Sequence, residues 1–377
     1  MKVNLSLLVI FAGGSRVSSE NNEGLVDIKT LSALKEFQSR LGGKVYFGSA
    51  APVKIADPQA IITQIPSDND EVILLERQIT RELIREINPD IVLISATDSG
   101  FRELSGYTGK VVLIDDYSAK VRLEAQLVGV TKLLQRGRIT VGHYRRILTN
   151  RKKLVAAAGI QCNGYASYEY YKKQHPKTHL FFDHRVTSHQ LSVSEATPKP
   201  VSHKLRLGFS GRLQELKGVL LFKPLLEELD NRGVDYSFDI MGDGIERKRL
   251  EEELGHRAKF HGFMEYGTEW LPFVRENIDL MVLPHIQGDS SSTYFESLGA
   301  GVPVVGFEND SLSPLVQFSD AAIAVQMKNI DALAQSIEEL SQNPEKIAKM
   351  REKAFIYMRD KSYEKIMDAR VEHLLSL

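Results

Sequence analysis

The best candidates for chemistry are two cations, Arg212 and Lys217, in the stretch of residues 208–218. An apolar run ends there in a turn bounded by Gly208 and Gly211, and a helical pattern is predicted to start near Gly218. Arginine offers phosphate oxygens a planar fork of donors, and lysine offers a mobile point charge. Two cations at a strand-to-helix turn therefore suit a diphosphate, although a solvated loop with ordinary surface charges gives the same pattern.

A run of small polar residues precedes a second helical pattern within residues 288–305. Its polar members are Asp289, Ser290, Ser291, Ser292, Thr293 and Glu296. Such a run predicts capping hydroxyls and free backbone amides at a helix N-terminus, where amides and the helix dipole together stabilise a diphosphate. Glu296, about one turn further in, could accept hydrogen bonds from the diol of a ribose. Simple capping is the alternative, but capping does not require three consecutive serines.

Two weaker signals follow other predicted strands of the second half. The turn at Gly242 and Asp243 could bring a backbone close to a ligand, although a plain tight turn is the favoured interpretation. The segment His261-Gly262-Phe263 could form a backbone ledge for a nucleobase. A lone histidine in such a place is more often structural, and we assign it no catalysis.

Short apolar runs alternate with helical periodicity along the whole chain, which indicates βαβ units and parallel sheets. Strands are predicted at residues 3–11, 44–47, 91–95, 111–114, 179–182, 205–209, 238–241, 259–261, 280–283, 302–305 and 322–325. Helical patterns are predicted at residues 25–41, 79–87 and about 120–157.

Periodicity is lost from about Thr187 to Lys204, where Ser, Thr, His and Pro dominate. We therefore predict an α/β protein of two doubly wound Rossmann-like domains, residues 1–190 and 205–360, joined by a linker at residues 191–204. Open α/β sheets bind ligands beyond the carboxyl ends of their strands, so the cleft between the domains is the expected site.

Composition excludes several classes of protein. The 377 residues carry a formal net charge of −1, so no overall field attracts nucleic acid. The single cysteine, Cys162, rules out an intrachain disulfide and fits the cytoplasm; we interpret it as a strand end rather than a nucleophile. The apolar N-terminus is interpreted as a first strand rather than a signal peptide. The sequence contains no run of about 20 apolar residues, the length that a membrane-spanning helix needs.

The four motifs in this order, from Arg212 to Val305, resemble those of retaining glycosyltransferases of the GT-B fold, and most of all glycosyltransferase family 4. The resemblance covers residues 205 to the C-terminus. It implies that residues 361–377 form a last helix that crosses back to the N-terminal domain, and that Gly13 and Gly14 form a glycine loop facing the donor phosphates. The implied substrate is a UDP- or GDP-linked sugar, with no cofactor.

The resemblance also implies roles for single residues. Arg212 and Lys217 would neutralise the leaving diphosphate, with no metal ion, and Glu296 would hold the ribose. The family usually has Glu-x7-Glu, whose first Glu falls at Gly288 in this chain. Either Asp289 replaces it and meets the sugar hydroxyls, or the site uses backbone amides alone.

The sequence of the N-terminal domain says less about the acceptor. A glycan, a lipid-linked molecule and a small molecule all remain open as acceptors. Basic residues at 136–153 are interleaved with leucines and Ile147, which suits either a solvated helix face or an anionic membrane. Asp115 and Asp116 are interpreted as a loop facing the cleft rather than a metal site. Two other functions stay open, namely a sugar-nucleotide epimerase of the same fold and a non-catalytic sugar-nucleotide-binding protein.

Overall fold

The computed structural model of the protein describes residues 4–10, 16–18, 23–50, 62–65, 71–75, 78–197, 199 and 204–377. Gly13 and Gly14 lie outside this part of the chain, so their predicted role stays a prediction. Two α/β domains are present, each built on a parallel sheet with helices against it. This arrangement confirms the predicted fold class.

The strands of the first domain are β1 (Leu5–Ile10), β2 (Arg16–Ser18), β3 (Glu23–Asp27), β4 (Gly42–Gly48), β5 (Ile62–Ile65), β6 (Val72–Leu74), β7 (Ile91–Ser95), β8 (Lys110–Asp115), β9 (Gly159–Asn163) and β10 (Thr178–Phe181). Its helices are α1 (Ile28–Leu41), α2 (Arg81–Ile87), α3 (Ala119–Leu127), α4 (Leu133–Ala156), α5 (Tyr165–Tyr171) and α6 (Ser188–Ala196). The main sheet has the order β10-β9-β8-β7-β1-β4-β6 with all pairs parallel, and β2, β3 and β5 form a small antiparallel sheet.

The strands of the second domain are β11 (Leu205–Ser210), β12 (Tyr236–Met241), β13 (Lys259–Gly262), β14 (Leu280–Leu283), β15 (Val304–Phe307) and β16 (Ala322–Val325). Its helices are α7 (Phe222–Asn231), α8 (Arg247–Leu254), α9 (Leu271–Asn277), α10 (Ser292–Gly299), α11 (Leu312–Ser319), α12 (Ile330–Ser341) and α13 (Pro344–Met358), and the last helix of the chain is α14 (Tyr363–Ser376). The sheet order is β13-β12-β11-β14-β15-β16, so the strand order reverses between β11 and β14.

The apolar runs seen in the sequence form the centre of each sheet. β14 is buried along its whole length, as expected for a parallel strand covered by helices on both faces. α7 buries Phe222, Leu225, Leu226 and Leu229, which recur at helical spacing along one face. Strand burial on both faces and one-sided helix burial together create the layered core of the second domain.

Three element predictions are wrong. Residues 25–27 belong to strand β3, and the helix predicted from residue 25 begins at Ile28. The amphipathic stretch at residues 120–157 is divided into α3 and α4 by a turn in which Gly129 has φ +71°. The linker predicted at residues 191–204 is helical in its first part, because α6 begins with a capping box between Thr187 and Gln190.

The last helix, α14, packs on the first domain. Met367, Val371 and Leu374 join the hydrophobic core formed by α1 and the main sheet. Arg370 is buried at this contact, where its Nε donates to Gln161 Oε1 at 2.9 Å and Gln161 Nε2 donates to the Arg370 carbonyl at 2.9 Å. The guanidinium also lies over the rings of Phe37 and Phe181. The chain therefore returns to its first domain after completing the second.

Replacing Arg370 by Ala should lower the free energy of unfolding by about 3 kcal/mol, because Gln161 would keep a buried oxygen without its charged donor. Urea unfolding measures this. The control is Arg359→Ala, which removes a solvent-exposed ion pair with Glu195 and should cost about 0.5 kcal/mol or less. Equal losses in both variants would contradict the structural role of Arg370.

Candidate functional site

A cavity of about 870 Å³ opens to solvent at the carboxyl ends of β11 and β12 and beside the start of α10. We call it the cleft cavity. Eight residues singled out in the sequence line it: Gly211, Arg212, Gly242, Asp243, Phe263, Ser292, Thr293 and Glu296. The loops that follow separate strands therefore converge, as the rule for open α/β sheets requires.

Close backbone approach explains one glycine of this cavity wall. Gly242 has φ +136°, and a Cβ atom there would lie 2.0 Å from the Gly211 carbonyl oxygen. No other residue type fits without moving the backbone. The turns after β11 and β12 are thus held against each other and form one continuous wall.

Lys217 is not among the residues that line the cleft cavity. It is buried, and its Nζ is 2.7 Å from Asp289 Oδ2. Burial alone would raise the pKa of Asp289, but the Lys217 ammonium and further charge from Arg212 hold that pKa below its ordinary value. The second oxygen, Oδ1, is buried without a hydrogen-bond partner among the described residues. Asp289 therefore keeps its charge and has one oxygen without a partner, but it is not among the residues that line the cleft cavity.

His285 stands close to this ion pair and is uncharged at neutral pH. Burial, followed by the Lys217 charge, lowers the pKa of His285 to about 3. The Tyr294 hydroxyl and His285 Nδ1 are 3.2 Å apart. The positive charge beside Asp289 therefore comes from Lys217 and not from the imidazole.

The N-terminus of α10 faces the cleft cavity through Ser292 and Thr293. The first-turn amides of a helix have no partner within the helix, and the helix dipole adds partial positive charge there. The predicted hydroxyl cap is wrong at the N-cap residue, because the Ser291 side chain makes no capping hydrogen bond. Ser290 instead donates its hydroxyl to Asn163 Oδ1 at 3.2 Å, in the first domain.

Glu296 has a partner that the sequence did not reveal. Arg185 Nε is 3.3 Å from Glu296 Oε1, and the guanidinium lies 4.2 Å from the centre of the Tyr266 ring. Arg185 also lines the cleft cavity. It follows β10 within four residues, and a cation just beyond the carboxyl end of a strand is the signal that could have found it. Arg185 adds positive charge beside the carboxylate.

The first domain meets this site through the loop after β8. The pKa of Tyr117 is raised by burial and then by the charge of Asp289, while Arg212 opposes the shift, so Tyr117 lies within electrostatic reach of both. Asp116 accepts a hydrogen bond from Asn163 Nδ2 at 3.0 Å, and burial raises its pKa to about 6.

The interpretation of Asp115 and Asp116 as a loop facing the cleft does not hold for Asp115. Asp115 points into the domain interior, where Arg122 and Tyr171 bind its oxygens. Within the described residues, no group of three His, Cys, Asp or Glu side chains is arranged to hold a metal ion. Cys162 is buried in β9, and burial raises the pKa of its thiol to about 12, in keeping with a structural role.

Gly288, where the resemblance implies a glutamate, is closely surrounded. A Cβ atom there would lie 2.9 Å from the Asp310 backbone nitrogen and 3.0 Å from the Asp310 Cβ. A larger side chain requires this loop to move, so the nearest carboxylate is the neighbouring Asp289.

Comparison with known proteins agrees with this geometry. Residues 204–343 match the model of the family described as Glycosyl transferases group 1. The alpha-D-kanosaminyltransferase of Streptomyces kanamyceticus is 28% identical over 151 residues, which is 39% of this chain and 39% of that relative. This family match is confined to the second domain, and membership of glycosyltransferase family 4 stays a prediction.

Solved structures share the fold over nearly the whole chain. A glycosyltransferase from Rickettsia africae superposes with a TM-score of 0.67 at 12% identity, covering 99% of this chain and 97% of the other. HepE from Anabaena, in complex with UDP and glucose, superposes with a TM-score of 0.66 at 14% identity, covering 99% and 100%. The two-domain architecture is therefore the predicted GT-B fold.

Replacing Lys217 by Met should lower the free energy of unfolding by about 3–5 kcal/mol, because the Asp289 carboxylate would remain buried without its partner. Adding Asp289→Asn removes that charge and should recover at least half of the loss. Urea unfolding of the single and double variants measures the coupling. Additive losses would mean that the two side chains do not depend on each other.

Proposed function

We propose that this protein is a glycosyltransferase that moves a sugar from a UDP-linked donor to an acceptor held by the first domain. The observation that carries the proposal is the convergence of Arg212 and the first turn of α10 on one cavity, with the buried Lys217–Asp289 pair within electrostatic reach of Arg212. The matched family, the named transferase relative and the UDP and glucose bound by HepE support it.

Each part of the cavity has a role in donor binding. Arg212 and the amides of Ser292 and Thr293 bind the diphosphate, since donors and helix dipole point where its charge lies. Glu296 accepts hydrogen bonds from the ribose hydroxyls, and its contact with Arg185 fixes its orientation. Phe263, exposed at the rim, borders the base.

Asp289 serves two purposes in this proposal. Its Oδ2 holds the Lys217 ammonium, and its Oδ1, which has no partner in the described part of the chain, accepts a hydrogen bond from a hydroxyl of the donor sugar. It thereby performs at position 289 the task that the resemblance assigns to a glutamate at 288. This favours replacement of the acid over a site made of amides alone.

The chemical step breaks the bond between the anomeric carbon and the diphosphate oxygen. Negative charge develops on the leaving UDP, and the fixed cations and amides stabilise it without reorganisation. The two side-chain cations and the helix N-terminus supply this charge, so we propose a metal-independent reaction. The acceptor hydroxyl attacks on the face that UDP leaves, its proton passes to the departing diphosphate, and the anomeric configuration is retained.

Replacing Arg212 by Ala should reduce donor turnover about 10²–10³-fold, the effect of losing one preorganised donor to a developing anion. UDP should raise the unfolding temperature of the wild type and much less that of the variant, because a ligand that binds only the native state stabilises it by mass action. Donor hydrolysis and thermal unfolding with UDP, GDP and UDP-glucose provide the two readouts.

The matched control is Arg249→Ala, an exposed arginine on α8 that pairs with Glu253. It should leave turnover within about twofold. A loss below about fivefold in Arg212→Ala would remove Arg212 from the leaving-group role. Binding without turnover would indicate a sugar-nucleotide-binding protein, and an isomerised nucleotide sugar would indicate an epimerase.

Retention of the anomeric configuration can be tested directly with water as the acceptor. Proton NMR of the sugar released from UDP-α-glucose should show the α-anomer first, before mutarotation creates the mixture. A first product in the β-form would establish inversion and overturn this part of the proposal. The Arg212→Ala variant serves as the background control for uncatalysed release.

A further inference from the structure

Helix α4 lies in a segment whose charged side chains are all positive. Between residues 125 and 168 the sequence contains eight Lys or Arg residues and no Asp or Glu, although the whole chain is nearly neutral. α4 occupies 24 residues of this segment, and a helix of that length is about 36 Å long. A local cationic surface on a protein without net positive charge suits an anionic partner.

The same helix exposes a continuous apolar face. The exposed fractions are 88% for Leu134, 53% for Val141, 59% for Tyr144, 62% for Leu148 and 87% for Val155. These positions follow the helical repeat, at intervals of seven, three, four and seven residues, so all five side chains share one stripe. Large apolar residues aligned on an exposed helix face mark an interaction surface rather than scattered surface residues.

The opposite face of α4 fixes the helix to the first domain. His143 and Leu154 are buried, and Lys153 donates its ammonium to the carbonyls of Ala96 and Asp98 at 3.2 and 2.8 Å. The apolar stripe is therefore directed outward by contacts on the other side of the helix. The stripe is therefore not a core-facing surface that a rotation of α4 about its axis would bury.

Cations run beside the stripe. Arg138, Arg145 and Lys152 are exposed and follow one another at seven-residue intervals, along the edge next to Leu134 and Val141. An apolar stripe bordered by a row of basic residues is the pattern of a helix that lies in the plane of a membrane surface. No helix among the described residues has the length and apolarity to span a bilayer.

We propose that α4 docks this protein on an anionic lipid bilayer, with the helix axis parallel to the surface. The apolar stripe enters the boundary between headgroups and acyl chains, and the basic row contacts lipid phosphates. A second copy of the chain is a poorer occupant, because pairing two such helices would bring like charges together over their whole length. This inference does not depend on the proposed function.

The test is sedimentation of the full chain with vesicles of 30% phosphatidylglycerol in phosphatidylcholine. We expect binding to these vesicles, weak binding to pure phosphatidylcholine, and a marked loss of binding in 0.5 M salt. The triple variant R138Q/R145Q/K152Q should reduce the partition coefficient about 100-fold, since each basic residue near an anionic surface contributes about fivefold.

A second variant tests the apolar stripe. L134S/L148S changes two exposed side chains, so the fold should persist, and it should also abolish binding to the charged vesicles. The matched control is K223Q/K248Q/R249Q, three exposed cations of the second domain, which should bind as the wild type does.

Two outcomes would overturn the proposal. One is equal sedimentation with neutral and anionic vesicles, or with neither. The other is a concentration-dependent dimer in sedimentation velocity that L134S/L148S abolishes, with no vesicle binding, which would assign the stripe to a second copy of the chain.

Discussion

The site depends on a buried ammonium, that of Lys217, which a single carboxylate compensates within the described part of the chain. Lys217 loses its hydration inside the second domain, and Asp289 restores part of that energy at 2.7 Å. This contact ties the turn after β11 to the loop after β14, the two strands between which the sheet order reverses. The pair lies within electrostatic reach of Arg212, and burial, followed by the Lys217 charge, lowers the pKa of the neighbouring His285. The position of α10, and with it the direction of its first amides, follows from the same loop.

Sequence periodicity was sufficient for the fold class and for most of the second domain. β14 and β16 coincide with the predicted ranges, because a fully buried parallel strand is a short apolar run with clear ends. Periodicity failed where tertiary contacts decide. Residues 25–27 pair with β5 as a strand although their pattern continues into α1, and α6 has little amphipathic character to distinguish it from a linker.

The sequence predicts many residues of the candidate site, but not which of them contact each other. Glycines and cations after strands are visible in a sequence, because the carboxyl edge of a parallel sheet collects ligand-binding groups. The contacts between these residues depend on which loops meet in the folded chain. Examples are the pairs Asp289 with Lys217, Ser290 with Asn163 and Arg185 with Glu296. Much of the proposed diphosphate-binding surface is backbone. Such a surface tolerates the exchange of side chains, which is consistent with a fold shared at 12–14% identity.

The return of α14 to the first domain affects how the chain acquires its structure during synthesis. The second domain, from β11 to α13, is contiguous in sequence, whereas the core of the first domain lacks Met367, Val371 and Leu374 until α14 has been synthesised. Nascent chains therefore expose an apolar groove along α1 throughout translation of the second domain. A chaperone that shields such grooves would act on the half synthesised first, and a premature stop codon near residue 360 would damage that half rather than the one being completed.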